Sequence, residues 1–190
     1  MTSQKIQDKE KAILDAAVRV FAARGFWNTP TSLISKTAGV ADGTLFNYFA
    51  TKDDLINAVY LDTKRELAER MMSDYPRHGS LRDKAWHVWS RSIEWAVEQP
   101  EKFKVMQQIH SSYEVSAVVQ AESREQFVEF EQAVSDSISR GEIHDYPAAF
   151  MGALMNSFSN TTVEMILLHG NRDTDYMAIG FEILWNGITC

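Results

Sequence analysis

The stretch AGVADGTLFNYFATKDDL, Ala38 to Leu55, constrains this chain more than any other. Gly39 interrupts a short helical pattern that begins just after Pro30 and ends at Ala38. Asp42 opens a second pattern that runs only to about Phe49. Two helices of seven or eight residues are too short to be stable in water alone. They must be held by their neighbours, which are a helix over about residues 8–23, ended by Gly25, and one that starts after Thr51. A compact unit over about residues 8–50 follows. Thr29 is expected to cap the second helix, with Pro30 at its first position, where the missing N–H costs nothing. Asp42 and Thr51 are expected to cap the third and fourth helices, and Asp53 and Asp54 suit the first turn of the fourth.

Beyond this unit, apolar residues recur at spacings of three and four. No period-2 alternation of any length occurs, so the chain is expected to be all-α, with about nine helices. The fourth helix has Leu55, Val59, Tyr60, Thr63, Leu67 and Met71 on its inner side. DYPRHGS, Asp74 to Ser80, is the best candidate boundary. Helices are then expected at about 81–98, 101–112, 118–140, 147–169 and 173–188. Pro100 and Pro147 mark starts, and Gly141 and Gly170 mark stops.

Two short helices joined by a tight glycine turn form a helix-turn-helix, whose second helix enters the DNA major groove. Small Ala38 and Gly39 are expected to let the two helices cross closely, and Val40 and Leu45 to pin the turn. Gly43, Thr44, Asn47 and Tyr48 then face outward. Asn47 can bond base edges, especially of adenine. The hydroxyls of Thr44 and Tyr48, and the N-terminal N–H groups of both short helices around Thr31, Ser32 and Gly43, suit phosphates. Lys52 can add a charge-assisted phosphate bond. The net charge of -7 argues against a polyanionic partner, but the charge is unevenly distributed. Residues 1–52 hold seven Lys/Arg and four Asp/Glu, a balance of +3, which leaves -10 for the remainder. Phosphate contact is local, so the charge of the contacting face decides. The same pattern also fits a purely structural helical hairpin.

The residues ILDAAVRVFAARGF (Ile13 to Phe26), Ile34 and AGVADGTLFNYFATKDDL resemble the N-terminal domain of the TetR family of bacterial repressors, of the multidrug-responsive, AcrR-like type. Order, spacing and residue type agree over about 45 residues, while the rest matches in helix pattern and length. Pro30 and Phe46 stand where the family often has Thr and Tyr, and Ser35 where a small Ala is usual. Phe46 thus occupies a position that commonly reaches phosphate. The resemblance implies a DNA-binding domain over 1–52, a ligand-binding and dimerisation domain over 53–190, and a homodimer on double-stranded DNA with a near-palindromic operator.

The resemblance also places an effector cavity among the helices after residue 53, with Tyr60 and Lys64 facing it beneath Trp89. Ile93, Met106, His110, Met151, Met155 and Phe158 complete the candidate lining for a small, mostly hydrophobic or aromatic effector. Large aromatics mixed with methionines can line an adaptable pocket, or simply pack as core. Glu94 and Glu98 leave room for a cationic ligand and Lys64 for an anionic one. Small residues among large ones on the last two helices suit close helix packing, through Gly152, Met155, Ser159, Gly180, Phe181 and Leu184. That packing serves a dimer interface or a buried pair within a monomer.

The five histidines form no H-x-x-x-H pair and no E-x-x-H step, and neither a phosphate-cradling glycine loop nor a nucleophile elbow is present. An enzyme is therefore not expected, nor a cofactor or metal. His110 and Glu114, one turn apart, suit a solvated or bonding pair rather than an acid/base couple. The single cysteine, Cys190, the missing signal-peptide pattern and the lack of a bilayer-length apolar run fit a cytoplasmic protein away from membranes. A helical module that regulates by protein contact alone, without an effector, is the alternative reading.

Overall fold

A computed structural model describes residues 3–112, 115, 119, 121, 124–170 and 173–190. Among them are nine helices: α1 (Ser3–Arg24), α2 (Thr31–Ala38), α3 (Asp42–Tyr48), α4 (Lys52–Met72), α5 (Leu81–Glu98), α6 (Pro100–Ser112), α7 (Val128–Ser139), α8 (Ala148–His169) and α9 (Tyr176–Ile188). The fold is all-α, as expected. The helix expected over 118–140 is not continuous: residues 119, 121, 124 and 125 are helical, Gln126 and Phe127 form a turn, and α7 then runs over Val128–Ser139; residues 118, 120, 122 and 123 lie outside the described residues, as does Glu114. The chain divides into two compact units, Met1–Glu66 with Gln99–Ser123, and Leu67–Glu98 with Arg124–Cys190. These packing units do not coincide with a division at residue 52, because the first two-thirds of α4 belongs to the first unit.

In the first unit α1 packs on α2 and α6, and α2 on α3. Ile13, Ala17, Val18 and Phe21 form the inner face of α1, and Leu14, Ala16 and Val20 are buried as well. This wide apolar stripe lets α1 pack on α2 and α6 at once. Gly25 ends α1 at φ 75°, and its N–H bonds to the Phe21 carbonyl at 2.8 Å. Thr29 does not cap α2. Its buried hydroxyl turns back to donate to the Gly25 carbonyl at 2.7 Å, and Pro30, in extended conformation, precedes the first helical residue, Thr31. Thr51 does cap α4. Its hydroxyl accepts from the Asp54 N–H at 3.0 Å while Asp54 accepts from the Thr51 N–H at 2.9 Å, a reciprocal capping box. Leu55, Val59, Tyr60, Thr63 and Leu67 of α4 are buried as expected, with Ile56 and Ala68 beside them, whereas Met71 is only half-buried.

In the second unit α5 packs against α7, α8 and α9, and α8 against α9. Ser80 and Asp83 repeat the capping box at the start of α5, with N–H to oxygen distances of 3.0 and 3.2 Å. Asp175 caps α9, accepting from the Ala178 N–H at 3.0 Å. DYPRHGS is not a boundary. Tyr75 is buried within this unit, edge-on to His87 with ring centroids 6.1 Å apart, and so large a ring excluded from water ties the segment down. Trp89, fully enclosed, is the centre of this core, and its indole Nε1–H donates to the Met177 carbonyl at 2.9 Å.

Candidate nucleic-acid interface

The turn between α2 and α3 is built by backbone conformation rather than close approach. Gly39 caps α2 at φ 70°, with its N–H on the Lys36 carbonyl at 3.2 Å, and the Val40 N–H reaches the Ser35 carbonyl at 3.0 Å. A Cβ on Gly39 would meet nothing within 4 Å. Glycine is therefore needed for the left-handed conformation, not to let the helices cross. Asp42 is the first residue of α3 rather than its cap, and its carboxylate accepts a short hydrogen bond from the buried Ser35 hydroxyl. Ser35 thus joins α2 to α3 with a polar tie that an alanine there would lack. Leu45, fully buried, pins α3 from beneath, and Phe49 closes its end.

This arrangement leaves one side of α3 outward. Gly43, Phe46 and Asn47 are exposed, with Phe46 at 47 %, while Thr44 and Tyr48 are half-buried at its edges. Gly43 has open space where a Cβ would stand. Ser32 is exposed and Thr31 half-buried in the first turn of α2. The Tyr48 hydroxyl donates to the Ile6 carbonyl at 3.2 Å, which ties the end of α3 to the start of α1. Lys52 donates its ammonium to the Trp27 carbonyl at 3.1 Å, and partial burial pushes its pKa down against the pull of Asp53. Both candidate phosphate groups are thus held by the protein's own carbonyls, oriented before any ligand arrives. Sequence reasoning missed Trp27, which is 61 % exposed on the α1–α2 turn and whose carbonyl holds the Lys52 ammonium. A tryptophan in a short polar turn, away from the helical apolar spacing, was the available signal.

This geometry gives the domain its kinship. The model for bacterial regulatory proteins of the tetR family matches residues 13–59. Those residues form a TetR-type N-terminal domain. A fatty acid metabolism regulator protein of Bacillus subtilis is 36 % identical over 83 residues, covering 44 % of this chain and 43 % of that protein, so the match spans less than half of the relative. Among solved structures, a TetR family transcription regulator from Marinobacter aquaeolei VT8 superposes with a TM-score of 0.88 at 23 % identity, covering 99 % of each chain. The transcriptional regulator FadR from Bacillus subtilis, solved in complex with stearoyl-CoA, superposes with a TM-score of 0.67 at 22 % identity over 94 % of this chain and 98 % of that one. Matches this distant establish the fold, and the relatives so named are regulators rather than enzymes.

The expected effector residues fall in both units. In the first, Tyr60 and Met106 are buried, Lys64 is half-buried and His110 lies at the surface. Burial pushes the Tyr60 phenol up and the Lys64 ammonium down; partial desolvation, then the Lys64 charge, hold His110 below its ordinary value. In the second, Met151, Met155 and Phe158 are half-buried on α8, but Trp89 and Ile93 are enclosed. Trp89 is core rather than a pocket wall in this structure, because Gly180 receives its ring. A Cβ on Gly180 would stand 2.9 Å from Trp89 Cζ2 and 2.5 Å from Thr162 Oγ1. Clefts of about 410 and 690 Å³ in this unit are lined by other residues, among them Arg82, Lys84, Ala133 and Asp136.

The same packing corrects the expected interface. Gly180, Phe181 and Leu184 are buried inside the unit, with the Phe181 ring 5.0 Å from Trp86 and 5.8 Å from Trp185. Residues consumed by their own protomer offer nothing to a partner. Of the six expected residues Gly152 is exposed, and Met155 and Ser159 are half-buried. The outward apolar side chains are Phe150, Leu167 and Leu168 on α8, with Ile179 and Ile183 on α9, each about half exposed or more. Among the described residues no group of three or more His, Cys, Asp or Glu could hold a metal ion, and no helix is long and apolar enough to cross a membrane.

Proposed function

We propose that the chain is a homodimeric, ligand-responsive repressor of transcription acting in the cytoplasm. It binds a near-palindromic double-stranded operator through residues 1–52 and releases it when a small, mostly hydrophobic or aromatic effector binds within residues 53–190. The observation that carries this reading is the outward set of α3, Gly43, Thr44, Phe46, Asn47 and Tyr48, with Lys52 next to it and Thr31 and Ser32 opening α2. Asn47 reads base edges, and Thr31, Ser32, Thr44, Tyr48 and Lys52 engage the backbone. Phe46, lacking a hydroxyl, makes an apolar contact such as that with a thymine methyl.

The stearoyl-CoA bound by the Bacillus subtilis regulator supports an apolar effector. Tyr60, Lys64, Met106 and His110 of α4 and α6, and Met151, Met155 and Phe158 of α8, are the residues proposed to meet it. Trp89 and Ile93 belong to the core of the second unit. Release requires that the effector bind the non-DNA conformation better, and a coupling of about 1–3 kcal/mol lowers operator affinity roughly 5–150-fold. The continuous helix α4 is the lever, with Lys52 in its first turn and Tyr60 and Lys64 two to three turns on. Two protomers join through the outward apolar side chains of α8 and α9, with Gly152, Met155 and Ser159 between them, and so present paired reading heads to half-sites about one helical turn apart. Footprinting of the DNA upstream of the chain's own gene tests the reading. A protected, near-palindromic site, lost on adding a hydrophobic ligand panel, is expected. Sequence-independent or absent protection would sink it.

A further inference from the structure

We propose that the effector carries an anionic head group on its apolar body, and that Lys64, flanked by His110, receives that anion. The inference rests on the ligand-responsive reading above and fixes the charge that the sequence left open. Two other lysines of the first unit are compensated by carboxylates: Lys102 pairs with Glu66, and Lys11 lies 3.3 Å from Asp15 and 3.1 Å from Asp62. Lys64 is half-buried on α4, yet no carboxylate among the described residues pairs with it. Its ammonium lies 5.6 Å from the centroid of the buried Tyr60 ring, whose quadrupole compensates a cation only in part. His110 of α6 is near enough to feel the Lys64 charge, so two groups able to be positive share one locality. An anion arriving there relieves a desolvated cation; a cation arriving there adds to the repulsion.

The acids that might have drawn a cationic ligand are already engaged. Arg70 lies 3.6 Å from Glu94 and 3.4 Å from Glu98, and Arg91 lies 3.1 Å from Glu94. The spare charge is therefore positive. A carboxylate of a free acid and a phosphate of a nucleotide thioester offer the same chemistry to Lys64, and the test separates them.

Binding of stearate, stearoyl-CoA, methyl stearate and octadecylamine, each below its aggregation threshold, is measured on the full chain by tryptophan fluorescence and by release of DNA. At least one of the two anions is expected to bind tenfold or more tighter than the neutral ester and the amine. Preference for stearate identifies a carboxylate, and preference for stearoyl-CoA the thioester's phosphates. Lys64→Met, checked for folding by circular dichroism, is expected to abolish the preference of the anions over the ester, and Lys64→Arg to restore it. If the ester or amine binds as tightly as both anions, or Lys64→Met keeps the preference, the anion assignment falls and the ligand-responsive reading stands. If none of the four binds, both fall.

Discussion

Gly180→Ala separates core from interface by the sign of its effect. In the interior of a helix, replacing glycine by alanine stabilises by about 1 kcal/mol. At Gly180 the new methyl would meet Thr162 Oγ1 at 2.5 Å and the Trp89 ring at 2.9 Å. Trp89 cannot easily retreat, because it is fully enclosed and its indole N–H is held by the Met177 carbonyl. Overpacking of this kind costs about 1–3 kcal/mol, so the helix gain is cancelled or outweighed and the net change runs from neutral to about 2 kcal/mol destabilising. Gly152→Ala is the matched control. It lies inside α8 with nothing of its own protomer within 4 Å of a Cβ and, when both variants are read in an Ile183→Asp background that opens the proposed interface, should stabilise by about 1 kcal/mol. The two variants should then differ by about 1–3 kcal/mol, which at a urea m-value of about 2 kcal/mol/M separates their midpoints by roughly 0.5–1.5 M. Urea unfolding followed by tryptophan fluorescence at fixed protein concentration measures this, since a dimer's stability depends on concentration. Midpoints for Gly180→Ala at or above that of Gly152→Ala would refute the notch that receives Trp89.

Three other outcomes follow from the same geometry. Ile183→Asp puts a charge on the outward face of α9 and should yield a folded monomer by light scattering; an unchanged dimer would place the interface elsewhere. Burial lowers the Lys64 pKa in the folded chain, so the unfolded chain binds more protons between that value and 10.5, and stability gained from this group rises with pH across that window. Lys64→Met should therefore stabilise the unliganded protein near neutral pH, with the gain shrinking toward pH 10, and a gain that does not change with pH in thermal melts would contradict the burial of an uncompensated cation. Asn47→Ala should cost about 1–3 kcal/mol at particular operator base pairs and little at others, measured on single-base variants, and a uniform loss would make it a backbone contact.

The helix-turn-helix was legible because its signals are local. Gly39 as the end of the first short helix, Leu45 as the apolar anchor of the second and Thr51 as the cap of the fourth can all be read within a few residues, whereas the left-handed conformation that Gly39 supplies and the Asp54 half of the capping box emerge only in the structure. What failed depended on partners distant in sequence or on a choice between equivalent local bonds. Thr29 prefers the carbonyl of Gly25 to the N–H groups of α2, and Asp42 prefers Ser35. Tyr75 sits in a string of turn-forming residues, yet its ring is buried against His87. Gly180 reads as a small residue suited to any close approach, and only the fold reveals that Trp89, ninety-one residues earlier, fills the space. Half of the expected interface was lost for the same reason, since small and aromatic residues on α9 serve an internal core as readily as a partner. The pairing of Glu94 and Glu98 with Arg70, on a different helix, was equally beyond a reading by local spacing.

The measurement that bears most directly on the account is the salt dependence of operator binding by the unaltered chain and by Lys52→Ala. Fluorescence anisotropy on the footprinted operator and on a shuffled control, between about 50 and 200 mM salt, gives the slope of log K against log salt. A phosphate contact at Lys52 predicts that the variant binds operator and control alike more weakly, with the slope shallower by about one unit in magnitude. The unaltered chain should prefer the operator to the control at every salt concentration. A chain that binds both DNAs equally, or a Lys52→Ala variant with unchanged affinity and slope, would contradict the reading of α2 and α3 as a DNA-reading head.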